Sequence, residues 1–105
     1  MGETKFSNNL TDAQLERLAI LSEELGEAQQ AIGKIIRHGY HSWDPTVVGS
    51  GTNRDDLEKE LGDVRYAIGL LCAAGDVEHG NILKRRDEKG DKILPYLHHQ
   101  TLTDS

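Results

Sequence analysis

The chain of 105 residues has one cysteine, two prolines, one tryptophan and one phenylalanine. Cys72 alone cannot close an intramolecular disulfide, so a disulfide-stapled scaffold is excluded. Aromatics make up only 5% of the residues, so little bulk is available for a thick core. A chain this short also buries a small share of its surface. A helical protomer of this kind is expected to finish its core against a partner copy. Positive charge is scarce too: 12 Lys plus Arg stand against 18 Asp plus Glu, a formal net charge of −6. That argues against duplex nucleic acid as the main partner, because a polyanion asks for a basic face. No apolar run approaches the roughly 20 residues that cross a bilayer. Met1 to Leu10 lacks the apolar stretch of a signal peptide. The expectation is a cytoplasmic protein without a membrane partner. An acidic surplus suits cations instead, and a divalent ion can carry an anionic substrate.

The length fits a single domain over 1–105, with 1–9 and 97–105 as tails and 38–52 as a long loop. Thr11 has the character of a helix N-cap, and Gln14 three residues on completes a capping-box pattern. Leu18, Leu21, Leu25, Ala28, Ile32, Ile35 and Ile36 then recur with helical period. This predicts a helix from about Asp12 to about Arg37, stopped by Gly39. Gly39, Pro45, Gly49 and Gly51 break the pattern in the loop, which also holds Tyr40 and Trp43. Thr52 or Asn53 caps a second helix with Asp55 and Asp56 in its first turn. Its apolar seam is Leu57, Leu61, Val64, Ile68 and Leu71, and Gly75 ends it. Asp76 is the expected cap of a third helix, through Ile82 and Leu83 to about Leu94, before Pro95. No stretch alternates as a strand would. The fold class is all-α: two long antiparallel helices plus a shorter C-terminal helix, completed by oligomerisation.

The two long helices repeat each other at an offset of 36. Leu21, Glu24, Leu25, Gly26 and Glu27 align with Leu57, Glu60, Leu61, Gly62 and Asp63. Ala31, Ile32 and Gly33 align with Ala67, Ile68 and Gly69. Two amphipathic helices would match in leucines by chance, but not readily in acids and glycines as well. Residues three apart share a helix face, so Glu24 points with Glu27 and Glu60 with Asp63. Each pair flanks its own apolar stripe. Packing the stripes antiparallel brings all four acids together. Gly26 and Gly62 then allow either close helix approach or room for a ligand, at about 1 kcal/mol each in helix propensity.

Four converging carboxylates repel one another, and without a cation some must take up protons. Oxygen ligands suit Mg²⁺, Mn²⁺ or Ca²⁺, and no His or Cys stands among them to favour zinc or copper. A di-iron bundle usually offers Glu-x-x-His on paired helices, whereas here the pairs are Glu-x-x-Glu and Glu-x-x-Asp. Mg²⁺ keeps several waters and binds substrate phosphates, which points to phosphate chemistry.

The run Glu23-Glu24-Leu25-Gly26-Glu27, followed by Glu60-Leu61-Gly62-Asp63, resembles the EExxE…ExxD signature of MazG-like nucleoside triphosphate pyrophosphohydrolases. These belong with dimeric dUTPases and phosphoribosyl-ATP pyrophosphohydrolases in an all-α superfamily. The resemblance covers Leu10 to Tyr96. It implies a helical protomer in a homodimer or homotetramer. It implies hydrolysis of a nucleoside triphosphate to the monophosphate and pyrophosphate, with Mg²⁺ as cofactor and Mn²⁺ as a substitute. By the same likeness Glu24, Glu27, Glu60 and Asp63 are metal ligands. Glu23 matches the first acid of the signature, as a second-shell group, a base for water or a helper to a further ion. Asn81, Lys84, Arg85 and Arg86 resemble the Asn and basic residues that meet the triphosphate on a later helix, with Lys89 and Lys92 as alternatives. The loop between the acidic pairs is longer than in compact members, and it places Tyr40, Trp43 and Asn53 on the base-recognition side.

The mechanism implied is attack of water on the α-phosphorus, with Glu23 or Glu27 taking the proton and Lys or Arg offsetting charge on the leaving pyrophosphate. Lys34 either touches phosphate or, with Arg37, answers the C-terminal dipole of the first helix. Trp43 either stacks on a nucleobase or covers an end of the fold. Cys72 belongs to the core, and His98-His99 to an exposed tail or an interface. The competing readings are a non-catalytic nucleotide- or metal-binding helical regulatory module, and a structural protein whose acids are only surface.

Overall fold

A computed structural model describes residues 7–100, which form three α-helices and one short 3-10 turn and no extended sheet. Helix α1 runs Asp12–His38, α2 runs Asn53–Ala73 and α3 runs His79–Ile93; Leu94–Tyr96 is the 3-10 turn. None is long and apolar enough to cross a membrane. The segments 1–6 and 101–105, which hold the outer parts of both expected tails, lie outside the described residues.

The caps set the helix starts. The Thr11 hydroxyl accepts from the Gln14 N–H at 3.1 Å, and the Gln14 side chain accepts from the Thr11 N–H at 2.9 Å. Thr52, rather than Asn53, caps α2 in the same way: it accepts from the Asp55 N–H at 3.2 Å, and Asp55 accepts from its N–H at 2.9 Å. Each box satisfies backbone donors that the first helical turn would otherwise leave open. Gly39 leaves α1 at φ 87°, and Gly75 leaves α2 at φ 79°. Both lie in the left-handed region where a Cβ is costly, so both stops follow from glycine. The third cap differs from expectation. Glu78, not Asp76, holds the N-cap position of α3, and it makes no side-chain cap bond. Asp76 is committed elsewhere: Arg17 Nε and Nη2 donate to its carboxylate at 2.6 and 3.0 Å.

That ion pair also fixes the topology. It ties the first turns of α1 to the turn after α2. At the other end the Asn53 side chain donates to the Gly39 carbonyl at 3.1 Å, and the Asn53 N–H donates to the Ser42 carbonyl at 2.8 Å. Helices α1 and α2 are therefore an antiparallel hairpin clipped at both ends. The fully buried positions are small: Ala28, Ala31 and Ala67, joined by Leu71. Ala31 and Ala67 are equivalent positions of the 36-residue repeat, and each buries its methyl group between the two helices, one on either side of the acidic pairs. A larger side chain at Ala67, which has no exposed surface, would wedge the helices apart. The glycines do not serve this contact. A Cβ at Gly26 or Gly62 would meet no atom within 4 Å, so the close-approach role is not theirs inside the hairpin.

Much apolar surface is left over. Leu25 and Leu61, another equivalent pair, are 51% and 47% exposed. Leu57, Val64, Ile68 and Cys72 are half-buried, so the seam of α2 is only partly covered. Helix α3 buries none of its residues and does not pack lengthwise on α1 or α2. The radius of gyration is 18.6 Å. A compact domain of this length would have about 13 Å.

Candidate metal centre

The hairpin register decides what faces what. With the ends clipped, Glu27 of α1 stands opposite Glu60 of α2, and Lys34 opposite Asn53 one groove-length further on. Glu24, Glu27, Glu60 and Asp63 converge, each offering a carboxylate oxygen, and these oxygens lie within 4.8 Å of one another. All four side chains are half-buried. The convergence is a product of the repeat, since two equivalent acidic pairs on antiparallel helices meet around their pseudo-two-fold axis.

The electrostatics of this cluster are unresolved internally. Glu24 Oε2 and Glu60 Oε2 are both shut off from solvent and have no hydrogen-bond partner. The Glu27 carboxyl is held above its ordinary value, first by a hydrogen bond shared with Glu60, then by the charges of Glu24 and Glu60, by burial and by Glu23. The raised proton affinity of Glu27 is thus the cluster's first answer to its own repulsion. Lys59 is the second way, and sequence patterning gave it no role. Its ammonium lies 3.4 Å from Glu60 and 3.6 Å from Asp63, and these contacts hold its pKa above the ordinary lysine value, Glu60 foremost. Lys59 to Asp63 is an ordinary i,i+4 pair, a signal available from spacing alone.

The donor set fits a hard divalent cation. Glu24, Glu27, Glu60 and Asp63 would hold such an ion, and the two orphaned oxygens, on Glu24 and Glu60, are atoms it would satisfy.

A groove leads away from the acids. A cavity of about 360 Å³ is lined by Glu27, Lys34, Asn53, Asp56, Lys59 and Glu60, among others. It shares Lys34, Asn53 and Asp56 with a second cavity of about 400 Å³ that also has His38, Ser42 and Trp43 in its walls. Lys34 of the expected substrate-binding set therefore lines both cavities, and Trp43 lines the one next to that of the acidic cluster. Glu23 is exposed and acts on the cluster through its charge on Glu27.

Asn81, Lys84 and Arg85 are not brought to the cluster within one chain. All three are exposed on α3, and Asn81 and Arg85 line a separate shallow cavity with Val77, Glu78 and Ile82. Arg86 pairs with its neighbour Asp87 at 3.1 Å. His98 and His99 stack edge to face, with ring centres 6.5 Å apart, away from any acid cluster among the described residues. No protein-family model matches the chain, and no curated protein or solved structure matches it either.

Proposed function

We propose that the protein is a Mg²⁺-dependent nucleoside triphosphate pyrophosphohydrolase of the MazG-like kind, converting a (d)NTP and water to the (d)NMP and pyrophosphate. The observation that carries the reading is the convergence of Glu24, Glu27, Glu60 and Asp63 with two buried oxygens left unpartnered. Surface acids of a purely structural helix pair have no reason to be half-buried against one another, because the repulsion is avoided by pointing them outward. The sequence signature supplies the substrate class.

Glu24, Glu27, Glu60 and Asp63 would hold the ion. A bound Mg²⁺ would neutralise the phosphates and make water more acidic. Glu27, whose affinity for a proton is already raised, is placed to take the proton of the attacking water, and the exposed Glu23 one turn away can pass it to solvent. Lys34 and Lys59 line the groove on either helix. Lys59, 3.4 Å from Glu60 and 3.6 Å from Asp63, would offset charge on the leaving group from beside the ion. Without a cation the cluster repels a triphosphate, so hydrolysis is strictly Mg²⁺-dependent, and Mn²⁺ substitutes.

The working form is a homodimer or homotetramer. The exposed leucines, the detached amphipathic α3 and the large radius of gyration support this reading, because each is relieved by burial against another copy. The α3 of one copy would then carry Lys84 and Arg85 toward the groove of another. Sedimentation equilibrium should give a mass at least twice 11.7 kDa; a monomer at assay concentration removes this part.

The decisive assay is pyrophosphate release from a panel of ribo- and deoxyribonucleoside triphosphates with Mg²⁺, Mn²⁺ and Ca²⁺. Turnover of at least one nucleotide with Mg²⁺, and none in chelator, is expected. Saturable binding without any product would replace the enzyme by the regulatory module that binds nucleotide or metal.

A further inference from the structure

The loop between α1 and α2 is fixed in a way its glycines do not suggest. Its backbone is stitched to the start of α2 by an antiparallel bridge between Trp43 and Thr52, by the Asn53 N–H on the Ser42 carbonyl at 2.8 Å, and by the Arg54 N–H on the Tyr40 carbonyl at 2.9 Å. Inside the loop, Asp44 accepts from both the N–H and the hydroxyl of Thr46, at 2.9 and 2.6 Å. A tight loop that exists only to connect two helices would turn its largest aromatic inward. Here Trp43 is 59% exposed, and it forms a wall of the 400 Å³ cavity. An exposed indole held on a pinned backbone is a stacking platform.

The polar groups around that platform are one-sided. Asp44 spends one oxygen, Oδ1, on Thr46 and keeps the other. Asn53 donates from Nδ2 to Gly39, which fixes the amide orientation and leaves Oδ1 as acceptor. Asp56 has no ion-pair partner among the described residues. The Ser50 hydroxyl donates to its neighbour's carbonyl, so that donor is used up. All four residues line the cavity. The site thus presents the acceptors of Asp44 and Asn53, held in place by hydrogen bonds, and the unpaired carboxylate of Asp56, with Lys34, His38 and Ser42 as the donors in the same wall. A ligand with N–H groups on its edge matches it; one with carbonyls there leaves acceptors facing acceptors.

The position of the cavity gives the ligand its second feature. Lys34 lies seven residues beyond Glu27, and Asn53 seven before Glu60, so the Trp43 end is about 10 Å along the helix axes from the acids. That is two helical turns, a span suited to an extended nucleotide with its phosphates at the acids and its base at Trp43.

Resting on the pyrophosphohydrolase reading for the acidic end, we propose that the Trp43 cavity is the base-selecting subsite and prefers nucleobases carrying an exocyclic amino group. Adenine, cytosine and guanine present such a donor, and thymine and uracil do not. Trp43 supplies the stacking face, and Asp56 with Asn53 reads the amino edge.

Trp43 is the only tryptophan in the chain, so its emission reports this cavity directly. The test titrates the full-length protein with Mg²⁺ and the α,β-imido analogues of dATP, dCTP, dGTP and dTTP, with inorganic tripolyphosphate as the base-free probe. Saturable quenching by at least one amino-bearing analogue is expected, at least tenfold tighter than by the thymine analogue, and none by tripolyphosphate. Trp43→Ala should raise KM for the preferred nucleotide about 5–100-fold, the range for loss of one base–aromatic stack. Trp43→Phe should recover most of that loss, and Asp56→Asn should narrow the ratio between amino-bearing and thymine substrates. Hydrolysis of nucleotides with no quenching by any analogue, or quenching equal for all four bases, overturns the subsite while leaving the enzyme reading intact. Quenching in this order without hydrolysis keeps the subsite and sinks the enzyme reading.

Discussion

Asp63→Asn should lower kcat/KM of the proposed nucleotide hydrolysis by more than about 100-fold, and Glu27→Gln should do the same. Loss of an outer-shell partner of a metal ligand already costs 10–100-fold, so loss of a ligand's charge costs at least as much. The informative part is the sign of the companion stability change. In most enzymes a site substitution that kills activity is open to the objection that it also damages the fold. Here the metal-free cluster sets four carboxylates against one another, with the Glu27 carboxyl pushed above its ordinary value and buried oxygens of Glu24 and Glu60 left without partners. Removing one carboxylate charge relieves that repulsion, so the metal-free variants should melt no lower than the parent. Activity lost with Tm held or raised is the signature of acids kept for binding a cation. Activity that survives both substitutions shows the ligand assignment to be wrong, and a large fall in Tm shows the acids to be structural. The comparison is made by thermal denaturation in chelator alongside the pyrophosphate assay.

How far this site was legible in the sequence depends on which link is asked about. The convergence of Glu24, Glu27, Glu60 and Asp63 follows from helical spacing plus the internal repeat, because equivalent faces of two antiparallel helices must meet. The helix starts at Thr11 and Thr52 follow from capping chemistry, and the stops at Gly39 and Gly75 from the left-handed backbone there. Asp76 was misassigned because its type suits a cap equally well. What overrode local propensity was a partner 59 residues away, Arg17, which no local pattern announces. The burial of Ala28, Ala31 and Ala67 is hidden for a related reason. Periodicity weights large apolar residues, yet most of the buried positions are alanines, while Leu25 and Leu61 stay half exposed. Lys59 escapes notice because an i,i+4 pair reads as a solvated face until its acid is seen to belong to the four-carboxylate cluster. The cavity beside Trp43 depends on loop backbone bonds to Tyr40, Ser42 and Thr52, and a glycine-rich connection carries no spacing rule from which to infer them.

On the proposed metal-site reading, Mg²⁺ at 100 times its dissociation constant should stabilise the fold by about 2.7 kcal/mol, since it would bind the native cluster and not the unfolded chain. For a domain of this size that moves Tm by roughly 10–20 °C, at about 4–8 °C per kcal/mol. The pH dependence gives the shift a further check, with the sign set by Glu27. Its carboxyl is raised above the ordinary 4.5 by its bond to Glu60 and by Glu24 and Glu23, with Asp63 and Lys59 the other charged groups in the cluster. Above about pH 4.5 the folded state therefore holds a proton that the unfolded state has released. Metal-free stability falls as pH rises from there through the folded pKa of Glu27. Asp76 works in the opposite direction. Arg17 holds its carboxyl below the ordinary 3.8, so its contribution is present above that pH and is lost as pH falls through the lowered value. In chelator Tm should thus peak in mild acid, bounded below by Asp76 and above by Glu27. With Mg²⁺ the upper limb should flatten, because the ion takes the place of the proton and its shift grows as Glu27 ionises. Glu27→Gln should remove both the falling limb and most of the Mg²⁺ shift, while Arg17→Ala should alter only the acid side. A Tm that responds equally to Na⁺ at matched ionic strength, or a Mg²⁺ shift untouched by Glu27→Gln, would mean that the four carboxylates hold no specific ion.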